Sequence, residues 1–345
     1  MDLARGLAML LVLIGHSMRD EMRLASPVLD FIYRSVYIFH MSYFFWLSGY
    51  AYRMSRERGR EPLRILARKI KSQFLPWCIY TLLIFFIFLL ASRIPQTSRI
   101  LSDAGMTIIP FPEYCLNVLQ ANNPWAYHLW FLYILLILTL IVSVSDVCMK
   151  GRTRPAAVLL LILSVIAMAL QSLFSAGAWW RLVNYLILYL PMFCLGVIMW
   201  NLKVSDRVLG IWGLAGLAYI IIRVIYFSGF SGNSVQVSEP WLRFFVYFLA
   251  LALLPGLMML LNRILEKGWL LRGKHIRSFF TFLGRDSLIL YLLHQPFCCA
   301  FLGLLLYQKL HVPAVLTMLI CMIVSLVVAR VVTLLLRRFH VRRQP

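Results

Sequence analysis

Acidic side chains are scarce in this chain: 345 residues hold 13 Asp and Glu against 34 Lys and Arg, and charged residues of both signs together reach only 14%. With 62% hydrophobic residues and a mean hydropathy of +0.82, there is too little polar surface for a soluble domain of this size. The composition therefore points to a polytopic membrane protein. The formal charge of +21 would suggest a nucleic-acid partner in a soluble protein. Here Lys and Arg fall mostly in short segments between apolar runs, so membrane orientation explains them and no nucleic acid is expected. The cysteines lack the paired spacing of a disulfide frame or zinc site, and read as small apolar residues.

Other absences narrow the organisation. No Pro/Gly/Ser-rich linker and no fixed-period repeat divides the chain, which predicts one membrane domain over residues 1–345 with no fused soluble domain. The N-terminal apolar stretch has neither a basic leader nor a small-residue cleavage site, and reads as an uncleaved first span.

What is present is a series of apolar runs near the length of a spanning helix. The all-α reading places ten, at residues 2–18, 31–52, 74–92, 127–147, 156–175, 182–200, 208–228, 241–261, 285–306 and 313–336. Alternate connections carry 22 Lys and Arg on one side against 6 on the other, which predicts cytoplasmic N and C termini. Trp77, Trp125, Tyr127, Trp179 and Trp241 lie near span ends and read as an interfacial belt. Gly210, Gly213 and Gly216 form a small-residue stripe suited to close helix packing. The semi-polar stretch 93–126 reads as a cap over an outward cavity or as a surface helix.

The first span, MDLARGLAMLLVLIGHSM, carries the polar residues Arg5 and His16. Eleven residues on a helix turn through about 1100°, so both project from one face roughly 16 Å apart along the axis. Ionisable residues at membrane depth are functional candidates by default. His40 in the second span and His294 in the ninth reach comparable depth, while Arg285 and Asp286 sit at the mouth of the ninth. A lone histidine in a bundle is commonly bonded to a backbone carbonyl. Three of them with a same-face arginine favour chemistry, because imidazole accepts a hydroxyl proton near neutral pH. No HExxH-like pair or carboxylate cluster accompanies them, and no metal is expected. Arg223, Arg243 and Arg330 have no obvious acidic partner and read as snorkelling side chains, and His128 as an outer-mouth or interfacial residue. The basic segment RMSRERGREPLRILARKIK includes Arg64, Arg68, Lys69 and Lys71. It fits anionic headgroups and an anionic cytosolic cofactor equally well.

In this order, DLARGLAMLLVLIGH, FHMSYFFWLSGY, HLWFLYILL, YLPMFCLGVIMW and LGRDSLILYLLHQPF cover nearly the whole chain. They resemble the membrane-bound acyltransferase 3 family, and most closely its fucose 4-O-acetylase-like branch of sugar O-acetyltransferases. The family pattern of Arg, ten residues, then His is met by Arg5 and His16. The resemblance implies a ten-span enzyme of the bacterial inner membrane that moves an acetyl group from cytosolic acetyl-CoA to a sugar hydroxyl of a cell-surface or lipid-linked glycan. It implies His16 as base or acyl relay, Arg5 as its donor-side partner, and His40 and His294 as further catalytic positions. Ser48, Gly49, Arg64, Arg68, Lys69 and Lys71 would contact the donor, although the family's Arg-x-x-Arg becomes a pair one residue longer here. With no esterase-like domain expected, any extracytoplasmic partner enzyme would be a separate chain. Membrane lipids complete the expected partners. A polysaccharide or small-molecule transporter or flippase using the same His and Arg is the competing reading, against which stands the lack of paired broken helices or an inverted repeat.

Overall fold

The computed structural model describes residues 1–103, 106–171, 177–226, 240–268 and 273–341. The fold is 86% helical, and the described residues contain no strand. In chain order the α-helices are α1 Asp2–Ser17, α2 Asp20–Leu24, α3 Pro27–Glu57, α4 Pro62–Lys69, α5 Leu75–Ser92, α6 Pro95–Asp103, α7 Phe111–Leu119 and α8 Trp130–Cys148. There follow α9 Thr153–Leu170, α10 Trp180–Met199, α11 Asp206–Tyr226, α12 Pro240–Lys267, α13 Lys274–Arg285, α14 Ser287–Leu293, α15 Leu302–Leu304 and α16 Ala314–Val341. Short π-helical turns at Ile70–Phe74, His294–Phe301 and Leu305–Lys309 join neighbouring helices.

Eight helical runs among the described residues are long and apolar enough to cross a membrane. They coincide with eight of the ten expected spans. The other two are helical, but α1 has only 16 residues, and α3, uncharged from residue 35 to 52, is lowered in hydropathy there by its Tyr, Ser and His residues. The span ends placed at 175 and 228, the connection 229–239 and the tail beyond 341 lie outside the described residues.

The chain forms two compact units, Met1–Ala51 with Pro191–Pro345, and Tyr52–Leu190. In the first, helices meet through glycines. A Cβ at Gly6 would lie 2.0 Å from the Phe280 carbonyl oxygen, and one at Gly284 would lie 1.8 Å from that of Asp2. Only hydrogen permits this approach, so α13 lies directly on the first half of α1 in the opposite sense. Gly49 and Gly196 do the same for α3 and α10, at 1.9 Å from the Phe193 oxygen and 2.0 Å from the Trp46 oxygen. The expected Gly210 stripe is used in part: Gly213 and Gly216 pack against Leu260 and Leu253 of α12, whereas nothing lies within 4 Å of a Cβ at Gly210.

In the second unit a single buried acid organises the chain. Asp146 is fully buried and lies 2.7 Å from the Arg56 guanidinium. The Tyr52 hydroxyl donates to it at 3.1 Å, and the Thr153 hydroxyl at 3.0 Å. This fixes the end of α3 against α8 and α9. The stretch 93–126 forms the short α6 and α7, and α7 docks on α5 through a hydrogen bond from the Tyr114 hydroxyl to the Thr81 carbonyl at 2.9 Å.

Two of the five belt residues prove to be packing residues. Trp77 is buried and donates to the Leu129 carbonyl at 2.8 Å, and Trp125 is stacked between Phe88 and Tyr114. Their span-end position is real, but each ring finds a protein partner before it reaches the interface. Tyr127, Trp179 and Trp241 are exposed. Snorkelling fails for Arg223, which is buried and donates to the Tyr219 hydroxyl at 3.0 Å. Arg330 stays half exposed but does have an acidic partner, Asp286 at 3.8 Å, distant in sequence.

Candidate functional site

The site is built where α1, α3 and the end of α14 converge in the first unit. At the end of α1, Gly15 leaves space for Tyr37 of α3, whose Cε2 would be 3.0 Å from a Cβ there. His16 therefore meets the Tyr37 ring edge-on at 6.0 Å between centroids. From the other direction His294 approaches His16 to 5.1 Å, the rings tilted by 57°. Tyr37 also meets His40 of its own helix edge-on at 5.0 Å, so the tyrosine lies against His16 of α1 and His40 of α3 at once.

Local chemistry fixes two of the three imidazoles. The His40 Nδ1 lies 2.7 Å from the Val36 carbonyl, and the His294 Nδ1 lies 2.7 Å from that of Tyr291 and 3.1 Å from that of Leu290. A carbonyl only accepts, so each neutral ring carries its hydrogen on Nδ1 and its lone pair on Nε2. Both rings are buried, while His16 keeps partial access. The helix breaks just after His294 because Pro296 disfavours helical geometry in the residue before it. Gln295 accordingly sits at φ −123°, ψ 151°, and its amide donates to the His16 carbonyl at 3.4 Å.

Further out, Tyr33 stacks on Tyr37 at 4.1 Å, and the Arg23 guanidinium covers Tyr33 at 3.8 Å. Arg23 pairs with Asp20 at 3.0 Å and Asp30 at 3.4 Å, and Arg34 also reaches Asp30, at 2.6 Å. A chain of aromatic and charged groups thus runs outward from the histidines. Among the described residues no group of three His, Cys, Asp or Glu is arranged to hold a metal ion.

The family model for an acyltransferase domain matches residues 1–334. The chain belongs to the acyltransferase 3 family. No curated protein and no solved structure matches it. In this membrane acyltransferase, the residues singled out from sequence are distributed unevenly. His16 and His294 adjoin, with His40 reached through Tyr37. Arg5 lies three turns along α1 from His16, with its guanidinium 3.9 Å from Asp2. Ser48 and Gly49 are not brought to the histidines: they lie two turns further along α3 from His40. Ser48 donates within its helix to the Phe44 carbonyl at 2.8 Å, and Gly49 is filled by the Phe193 backbone. Arg64, Arg68, Lys69 and Lys71 belong to the second unit, on α4 and the π-turn after it. There Arg64 is exposed beside Glu61 at 3.5 Å, and Lys69 donates to Gln73 at 3.2 Å. His128, also in the second unit, is buried.

Sequence reasoning passed over Tyr37, Tyr33 and Gln295. The first two carried a signal, since positions three and seven before His40 share its helix face. For Gln295 the break before Pro296 was legible, but its partner was not, because the His16 carbonyl lies on another helix.

Proposed function

We propose that this acyltransferase moves an acetyl group from acetyl-CoA to a sugar hydroxyl of a cell-surface or lipid-linked glycan, in a bacterial inner membrane with both termini cytoplasmic. The observation that carries the reading is the paired His16 and His294 in an apolar bundle, with His16 alone of the three histidines partly accessible. In this reading His16 takes the proton from the acceptor hydroxyl as its oxygen attacks the thioester carbonyl. The carbon to sulfur bond breaks, the acetyl ester forms, and the departing thiolate takes up the proton as free CoA. General-base help of this kind supplies about 10² to 10⁴ in rate. His294 and Tyr37 hold the His16 ring in place from two sides. Arg5 faces the donor at the cytoplasmic end, and phosphates that cannot enter lipid stay at the basic face.

The test is mass spectrometry of host surface glycans from cells with the intact gene, a deletion, and His16→Ala at matched membrane levels. Loss of the acetyl increment in both altered strains supports the reading and names the acceptor. An unchanged acetyl pattern in both strains overturns it, and uptake or export that follows the proton gradient would favour transport.

A further inference from the structure

Outside the histidine cluster, the first unit contains a cavity of about 730 Å³ between α13 and α16 that the sequence gives no role. Lys274, Arg277, Thr281 and Arg285 line it from one side of α13, and Arg330 of α16 from the other. On α13 the spacing of three or four residues forms one stripe, adjacent to the stripe that packs on α1 through Phe280 and Gly284. The single lining carboxylate, Asp286, pairs with Arg330 at 3.8 Å. The surplus charge of the cavity thus comes from Lys274, Arg277 and Arg285. Phe279 lines the same cavity, is 39% exposed, and offers an aromatic surface beside these cations.

Three cations around a ligand-sized cavity match a ligand with several phosphate groups, since ammonium and guanidinium donors bind phosphate oxygens by charge-assisted hydrogen bonds. An accessible aromatic ring next to them matches a base, which stacks on it. The position adds direction. Asp286 at the cavity edge begins α14, and eight residues on, about 12 Å along a helix, lies His294. We propose that this cavity binds the phosphate groups of an adenine nucleotide, with Phe279 against the base, and so anchors the nucleotide end of the acyl donor at the foot of α14. The assignment to the donor rests on the acetyl-CoA reading above. Nucleotide binding itself does not.

The experiment uses the full chain in nanodiscs of phosphatidylcholine and measures the affinity for adenosine 3′,5′-bisphosphate by calorimetry. Lys274→Gln, Arg277→Gln and Arg277→Glu are compared with the unaltered chain, each checked for an unchanged thermal transition. Phe279→Ala gives a second route that leaves the charge alone. Each lost cation is expected to weaken binding about tenfold. Phe279→Ala should weaken it by a factor of about five to ten. Absent binding to the unaltered chain, or unchanged affinity in all variants, overturns the proposal. If the variants instead lose stabilisation by phosphatidylglycerol nanodiscs while nucleotide affinity holds, the cavity is a lipid headgroup site and the proposal also falls. Acetyl transfer is scored separately. An unaltered chain that binds the nucleotide at this cavity yet transfers no acetyl group removes the donor assignment and keeps the site. Transfer with an unchanged KM for acetyl-CoA in every variant keeps the enzyme reading and removes the site.

Discussion

The imidazoles of His16 and His294 stand 5.1 Å apart at a tilt of 57°, one at the end of α1 and the other at the end of α14. Neither ring can be replaced without changing the surroundings of the other, so their contributions to transfer are coupled.

His16→Ala and His294→Ala are each expected to lower acyl transfer by about 10² to 10⁴. The double variant should fall no further than the worse single one, as for groups acting as a unit. Initial rates with labelled acetyl-CoA in membrane vesicles at matched protein levels check this. Losses that multiply would show that the two rings act independently.

Tyr37 separates shape from hydroxyl chemistry. Tyr37→Phe keeps the ring between His16 and His40 and should retain most of the activity, whereas Tyr37→Ala removes the contacts at 6.0 and 5.0 Å. The cavity left by Ala should cost about 3 kcal/mol and disorder His16. Thermal transitions and transfer rates of the two variants, measured side by side, decide between them.

The contact of α1 with α13 depends on the missing side chains of Gly6 and Gly284. Gly284→Ala places a methyl group 1.8 Å from the Asp2 oxygen and should destabilise by about 1 to 3 kcal/mol. Gly210→Ala meets nothing within 4 Å and should be neutral or stabilise by up to about 1 kcal/mol through helix propensity. Unfolding midpoints in nanodiscs are the readout, and equal midpoints for the two variants would sink the argument.

Asp146→Ala leaves Arg56 facing a buried site without its carboxylate and should cost about 3 to 5 kcal/mol. Thr153→Ala removes one hydrogen bond to the same carboxylate and should cost about 1 kcal/mol. Protease resistance of the Tyr52–Leu190 unit under mild heating distinguishes the two.

Much of the fold was legible in the sequence because a spanning helix is a local property. Twenty apolar residues announce it wherever their neighbours are. The Arg5 to His16 spacing was legible for the same reason, since one continuous α1 carries both. The fates of Trp77, Trp125, Arg223 and Arg330 were not. Trp77, Trp125 and Arg330 have partners elsewhere in the chain, at Leu129, Tyr114 and Asp286, and Arg223, besides Tyr219 one turn back on α11, faces Tyr247 of α12. Ser48 and Gly49 show the reverse: a recognisable pair of residues whose surroundings are taken up by the α3 helix itself and by α10.

The sequence by itself determined the membrane class, the helical spans, the family and the histidines available for chemistry, because hydropathy and linear motifs are written along one chain direction. Only the tertiary structure decided that His294 meets His16, that Tyr37 stands against His16, and that α13 turns a basic stripe toward Arg330. Those relations depend on which faces pack together, and in apolar helices that are hydrophobic nearly all round, the choice is made by backbone approach at glycines and by a few buried polar partners.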